Sequence, residues 1–138
     1  MISFVLDASA ALTWCFCDEA TNASHQLLDR AAREPFAVPA IWPGEVANAL
    51  LMGERRGRMS SEDVASALAL LGQLDAQVDT LPTLAVFSAV LNLARAHGLT
   101  VYDAFYLELA IRKRLKLASL DKKLRAAATD CSIALMPA

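Results

Sequence analysis

A short apolar segment that ends at an acidic residue and continues at once into helix-forming residues limits this chain to few folds. It occurs near the start, where residues 2–6 lead into Asp7, and near the end, where residues 115–120 lead into Asp121. Further candidate strands lie at 36–38, 77–81 and 133–136. Segments with helical periodicity separate them. Alternating strands and helices predict an α/β fold with a mostly parallel central sheet and helices on both faces.

Start and stop residues predict five longer helices. Pro35 would end the first of them, and Gly57 and Gly98 would end two others. We expect helices over 20–33, from Pro43 to Gly57, from Ser60 or Ser61, from Pro82 or Thr83 to Gly98, and from about Val101. The buried side of the fourth helix is expected to carry Phe87, Val90, Leu91 and Ala94, and that of the fifth Tyr102, Phe105, Tyr106, Leu109 and Ala110.

Length and composition favour one domain in a reducing compartment. The 138 residues are typical of a single domain, which we expect to span residues 1–138. The hydrophobic share of 56% indicates a sheet buried on both faces, or an apolar surface that a partner covers. Polar or charged residues interrupt each apolar stretch, and no Lys or Arg precedes Arg30, so we expect neither a membrane span nor a secretory signal. Three cysteines, an odd number, indicate free thiols and a cytoplasmic location.

The charge distribution says more about partners than the net charge of −2, which is not that of a generic nucleic-acid binder. Basic residues cluster late in the chain, at Arg112, Lys113, Arg114, Lys116, Lys122, Lys123 and Arg125, and a smaller cluster comprises Arg55, Arg56 and Arg58. Each cluster is either a set of solvated helix ends or, beside an acidic pocket, a guide for a phosphate backbone.

Four acidic residues stand at the starts of predicted helices. Asp7 and Asp121 each follow an apolar strand, while Glu45 and Asp103 lie in a first helical turn. Taken singly, each has a structural interpretation as a helix N-cap or as a partner of the helix dipole. In a doubly wound sheet, strand ends converge on a ligand-binding crevice. Two carboxylates about 5 Å apart repel by about 3 kcal/mol at an effective dielectric constant near 20, so a converging set predicts a hard divalent cation such as Mg²⁺.

Polar neighbours of these acids are candidates for holding a phosphate. Ser9 lies two residues after Asp7, and Asn48 lies three residues after Glu45 on the same helical side. Either could contact substrate or orient the acid, or could be an ordinary polar residue at a helix edge. The predicted substrate-binding set is Ser9, Asn48, Ser119, Lys122 and Lys123.

The order and spacing of these segments resemble those of the PIN-domain nucleases, most closely the VapC-type toxins of bacterial toxin–antitoxin pairs. The resemblance rests on Val5-Leu6-Asp7-Ala8-Ser9-Ala10, Glu45-Val46-Ala47-Asn48-Ala49-Leu50, Tyr102-Asp103-Ala104-Phe105-Tyr106 and Ser119-Leu120-Asp121. Each segment is short and unspecific alone, but four in this order, over essentially the whole chain, form a specific pattern.

The resemblance implies an endoribonuclease that cuts single-stranded RNA regions with Mg²⁺ or Mn²⁺. It implies that Asp7, Asp103 and Asp121 are the principal metal-binding acids and that Glu45 completes the site. Lys122 and Lys123 stand where some members of the family have a further acid, which leaves open whether one or two ions bind. It also implies a small antitoxin partner and a homodimer.

Two other functions are compatible with the sequence. One is a receiver-like regulatory module that binds Mg²⁺ and is phosphorylated on an aspartate, although Asp7 lacks the paired acid that receivers carry. The other is a nuclease-like domain that binds RNA or a partner without catalysis. Cys15 and Cys17 are interpreted as buried thiols rather than soft-metal ligands, and Trp14 and Trp42 as core or interface anchors.

Overall fold

Five parallel strands form the centre of the computed structural model, which describes all residues 1–138. The strands are β1 (Phe4–Leu6), β2 (Phe36–Pro39), β3 (Ala76–Asp79), β4 (Lys116–Ala118) and β5 (Leu135–Met136). Their order in the sheet is β3-β2-β1-β4-β5, and every pair is parallel. All three residues of β1 are buried, as expected for a central strand of a parallel sheet. The predicted α/β class is confirmed.

Helices follow each of the first four strands. They are α1 (Ala8–Leu12), α2 (Asn22–Ala31), α3 (Trp42–Arg55), α4 (Ser61–Gly72), α5 (Thr83–Ala85), α6 (Leu91–His97), α7 (Val101–Lys113) and α8 (Lys122–Asp130). A π-helical segment at Val86–Val90 joins α5 to α6 into one continuous helix. Ser60, rather than Ser61, caps α4 and accepts the backbone N–H of Asp63 at 3.0 Å. Gly98 ends α6 in the left-handed conformation, with φ of 65°.

Three helices differ from the sequence prediction. The helix expected over 20–33 begins at Asn22, because Thr21 and Ser24 form a reciprocal capping box that fixes its start after a short 3₁₀ turn. Phe87, expected on a buried face, is 68% exposed, whereas Val90 is buried. Both residues lie in the π segment, whose wider turn places Phe87 and Val90 further apart around the helix axis than the regular helical spacing predicts. Tyr102, also expected to be buried, is exposed.

Aromatic side chains fill the core between the sheet and its helices. The rings of Phe4 and Phe36 stack with centroids 5.6 Å apart, and Trp42 meets Phe36 edge-on at 6.1 Å. Trp42 is therefore a core anchor, as predicted. Gly53 of α3 lies against the ring of Phe16, so closely that a Cβ there would approach Cε1 of that ring to 2.8 Å.

The order of the strands determines where the fold can hold a ligand. The chain builds β1, β2 and β3 toward one edge and then returns to place β4 on the other side of β1. The carboxyl ends of β1 and β4 thus form a switch point, the usual ligand-binding position in open α/β sheets. In receiver-like and flavodoxin-like domains the order is 2-1-3-4-5. The order seen here is different and excludes the receiver-like alternative.

No single helix combines the length and apolar composition needed to cross a membrane. The helix Thr83–His97 and the helix Val101–Lys113 meet that criterion only when they are taken together, and they are bent by 105° relative to each other.

Candidate active site

Asp7 lies at the switch point, directly after β1, and is 3% exposed. Its carboxylate accepts the hydroxyl of Ser119 at 2.5 Å, the hydroxyl of Ser9 at 2.7 Å and the backbone N–H of Ala10 at 2.9 Å. The last of these bonds makes Asp7 the N-cap of α1, so the capping interpretation of this residue also holds. Burial raises the pKa of the Asp7 carboxyl to about 6, although the three hydrogen bonds act to lower it.

Asp121 lies just beyond the end of the neighbouring strand β4 and is linked to Asp7 through Ser119. The Ser119 hydroxyl, which donates to Asp7, accepts the backbone N–H of Asp121 at 3.1 Å. The Asp121 carboxylate caps α8 by accepting the backbone N–H groups of Lys123 at 2.9 Å and Leu124 at 3.1 Å. Asp121 is therefore both a helix cap and a charge at the switch point. Its charge further raises the pKa of Asp7.

Glu45 and Asp103 are half-buried in the first turns of α3 and α7. The Glu45 carboxylate accepts the hydroxyl of Tyr106 at 2.5 Å. Burial raises the pKa of Glu45, and the charge of Asp103 raises it further. Burial also raises the pKa of Asp103, and the charge of Asp121 adds to that effect.

The four acids therefore form one electrostatic cluster. The charge of Asp121 acts on Asp7 and Asp103, and the charge of Asp103 acts on Glu45. Acids that lie more than 100 residues apart in the chain are brought together because β1 and β4 are neighbours in the sheet. Burial is the main cause of the raised pKa values of Asp7, Glu45 and Asp103, and the repulsion between neighbouring acids adds to it.

The donor set of this cluster fits a hard divalent cation. It consists of carboxylate and hydroxyl oxygens, which Mg²⁺ and Mn²⁺ prefer, and a cation would relieve the mutual repulsion of the acids. As the side chains stand, no three Asp, Glu, His or Cys residues are grouped closely enough to hold a metal ion. The carboxylates accept hydrogen bonds from neutral hydroxyl groups. Asp7 accepts from Ser9 and Ser119, and Glu45 accepts from Tyr106.

The predicted substrate-binding residues occupy different environments. Lys122 and Lys123 are exposed at the start of α8, next to Asp121, and Asn48 is exposed on α3. The Ser9 hydroxyl donates a hydrogen bond to Asp7 and accepts one from the backbone N–H of Leu120 at 3.0 Å. Ser119 is fully buried, so its hydroxyl orients two acids and is not placed to contact a substrate.

Sequence reasoning missed the role of Tyr106. The residue was expected only as part of the apolar face of its helix, and Asn48 was considered as the group that orients Glu45. In the structure the orienting group is the Tyr106 hydroxyl. The signal was available in the sequence, because a buried tyrosine needs a hydrogen-bond partner and Tyr106 lies one helical turn after Asp103.

Two of the clustered arginines form ion pairs with acidic side chains of the protein. Arg112 forms ion pairs with Asp79 and with the buried Glu108. Arg58 pairs with two acidic side chains of the turn after α1, and its guanidinium lies 3.9 Å from the centroid of the Phe16 ring. The charges of these two arginines are therefore paired with carboxylates within the protein, whereas guidance of a phosphate backbone by the clusters stays a prediction.

The cysteines are free, as predicted, but only one of the adjacent pair is partly buried. The thiol of Cys15 donates to the carbonyl of Ala11 at 3.7 Å, and burial raises its pKa to about 11. Cys17 is exposed, which corrects the prediction that both thiols are buried. Neither belongs to a group that could hold a metal ion.

Comparison with known proteins gives consistent findings along almost the whole chain. The sequence model of a family described as PIN domain matches residues 4–130. The chain is 29% identical over 123 residues to Ribonuclease VapC3 of Pyrobaculum aerophilum, which covers 89% of this chain and 92% of that protein.

Solved structures share the fold. The crystal structure of PAE2754 from Pyrobaculum aerophilum superposes with a TM-score of 0.73 at 28% identity, over 97% of this chain and 83% of that one. A toxin–antitoxin complex from Klebsiella pneumoniae contains a chain that superposes with a TM-score of 0.60 at 19% identity, over 90% of this chain and 91% of that one.

Proposed function

The chain belongs to the PIN-domain family, and we propose that it is an endoribonuclease that hydrolyses RNA phosphodiester bonds with the help of a divalent cation, Mg²⁺ or Mn²⁺. The observation that carries this proposal is the cluster of four electrostatically coupled carboxylates at the switch point of the sheet. The similarity to a protein named as a ribonuclease supports it.

We assign the binding of the cation to Asp7, Asp103 and Asp121, with Glu45 completing the site. A divalent cation bound there would lower the pKa of a water molecule and neutralise charge on the phosphodiester. Burial raises the pKa of Glu45, which makes its carboxylate a stronger base for holding that water and accepting its proton.

The surroundings of the acids support these roles. The hydroxyl of Ser119 and the backbone N–H of Ala10 fix the orientation of Asp7, so the least exposed acid of the cluster keeps one position. The ammonium groups of Lys122 and Lys123 lie at the start of α8, where the helix dipole also favours an anion. We propose that they hold the phosphate backbone of the RNA, with Ser9 and Asn48 as further contacts.

The test is cleavage of structured RNAs by the purified protein with Mg²⁺ or Mn²⁺, with and without a chelator. We expect cleavage that a chelator stops and that Asp103→Asn abolishes. Asp29→Asn is the matched control, because it removes the same charge from an exposed position on α2. Cleavage that survives both the chelator and Asp103→Asn would refute the metal-site assignment. Cation binding without any cleavage would favour a non-catalytic RNA-binding domain.

We further propose that the protein is a toxin of the cytoplasm, held inactive by a small antitoxin. The structural similarity to a chain of a toxin–antitoxin complex supports such a partner. Expression of the chain is expected to arrest growth, and co-expression of the product of an adjacent short gene is expected to restore it. If Asp7→Ala arrests growth as strongly as the unchanged protein, arrest does not depend on the proposed site.

We propose that residues 1–138 form one domain and that two copies associate through the helix that contains the π segment. Leu84 and Phe87, one turn apart on that helix, are both highly exposed, and large exposed apolar side chains in adjacent positions are typical of contact surfaces. Light scattering after gel filtration should give a dimer for the unchanged chain and a monomer for Phe87→Ser. A monomeric unchanged chain would contradict the homodimer.

A further inference from the structure

The Tyr106 side chain connects helix α7 to helix α3 inside the acidic cluster. It is 1% exposed, and its hydroxyl donates to Oε1 of Glu45, a residue 61 positions earlier in the chain, at 2.5 Å. Oε2 of Glu45 is left as the free oxygen of that carboxylate. The contact thus fixes one oxygen of the Glu45 carboxylate and leaves the other oxygen available to a ligand.

The surroundings of the hydroxyl determine the direction of its hydrogen bond. The charges of both Glu45 and Asp7 act on the hydroxyl. An ionised carboxylate only accepts hydrogen bonds, so the proton of the hydroxyl is directed to a carboxylate acceptor. Glu45 is that acceptor.

We propose that Tyr106 is a positioning residue, which holds the Glu45 carboxylate in the orientation that completes the cation site. The inference rests on the proposed function, since it assigns Glu45 a part in holding the cation. A glutamate side chain loses rotamer freedom when it is fixed. The Tyr106 hydroxyl fixes it in advance, so the side chain gives up less freedom when the cation binds. Partners that orient metal ligands in this way commonly change metal affinity by about 10-fold to 100-fold.

The experiment measures Mn²⁺ binding by titration calorimetry in the absence of RNA. Tyr106→Phe removes only the hydroxyl and keeps the buried ring, and we expect it to weaken Mn²⁺ binding by about 10-fold. Tyr102→Phe is the matched control, because it removes the other tyrosine hydroxyl of the chain from an exposed position on the same helix. We expect this control to bind Mn²⁺ as the unchanged protein does.

A double-mutant cycle separates positioning from a general structural effect. Glu45→Gln should weaken Mn²⁺ binding by itself, and in that background Tyr106→Phe should change the affinity by less than about 2-fold. Thermal unfolding in the presence of a chelator verifies that each variant is folded.

The outcomes distinguish this inference from the proposed function. If the unchanged protein binds no Mn²⁺, the proposed function falls and this inference falls with it. If the unchanged protein binds Mn²⁺ and Tyr106→Phe binds it equally well, only the inference is overturned. An equal loss of affinity with and without the Glu45 carboxylate would also overturn it, because Tyr106 would then act by another route.

Discussion

Replacing Asp7 with asparagine measures how much the buried carboxyl opposes folding when no cation is bound. The pKa of Asp7 is raised from 3.8 to about 6, chiefly by burial. An acid with a raised pKa in the folded state stabilises that state only while it is protonated. The stability that the protonated Asp7 carboxyl contributes is present below about pH 4 and is lost as the pH rises through about 6. One pKa unit corresponds to about 1.4 kcal/mol, so ionisation of Asp7 costs about 3 kcal/mol of stability by neutral pH.

Asp7→Asn keeps the size of the side chain and an oxygen that can accept the Ala10 N–H, but it cannot ionise. The difference in unfolding free energy between the variant and the unchanged protein should therefore grow by about 2–3 kcal/mol from pH 4 to pH 7. For a domain of this length that corresponds to a growth of about 10 °C in the difference between melting temperatures. The amide nitrogen of asparagine cannot accept the Ser119 hydroxyl, but this penalty shifts the difference by the same amount at every pH.

The assay is thermal and urea unfolding of both proteins in a chelator, at steps of pH between 4 and 7.5. Taking the difference cancels the titration of the acids that the two proteins share. Asp29→Asn serves as the control for the loss of a carboxylate, because it changes an exposed position on α2. A difference for Asp7→Asn that does not change with pH would refute the reasoning, since it would mean that the Asp7 carboxyl is not destabilised by burial.

Three other predictions follow from local contacts. Gly53→Ala should destabilise the protein by about 1–3 kcal/mol in urea unfolding, because the added Cβ would lie 2.8 Å from an aromatic ring. Gly72→Ala is the control: a Cβ there has no neighbouring atom within 4 Å, so the change should be neutral or stabilising by up to about 1 kcal/mol. An equal effect of the two changes would contradict the packing at α3. Asp121→Asn should keep the cap of α8 and its stability while lowering RNA cleavage by about 100-fold, and Asp121→Ala should lose about 1 kcal/mol in addition. Unimpaired cleavage by the asparagine variant would remove Asp121 from the site. Replacing both Lys122 and Lys123 with alanine should weaken RNA binding in a filter assay. The slope of log affinity against log salt concentration should become shallower by about 0.7 for each phosphate that the protein no longer neutralises. An unchanged slope would show that these lysines do not contact the RNA backbone.

Local features of the fold were predictable because they depend on residues close together in the chain. An apolar run followed by an aspartate is at once a strand end and a helix cap, and this is what the structure has at Asp7 and Asp121. Ser60 and Gly98 likewise mark helix ends through their own side chain or backbone. The four acids were predicted as a converging set from their order in the sequence and from the resemblance to the PIN-domain nucleases.

The spatial relations between these elements were decided by tertiary structure. The return of the chain to place β4 beside β1 brings Asp7 within reach of Asp121 through Ser119, whose bond to Asp7 spans 112 positions of sequence. The strand order also allows α7 to bring Tyr106 to Glu45. Sequence alone could not predict that Ser119 is buried or that Arg112 is used in ion pairs, because burial and pairing depend on which segments meet. Propensities and caps act over a few residues, whereas the desolvation and repulsion that define the acidic cluster exist only after distant segments have packed together.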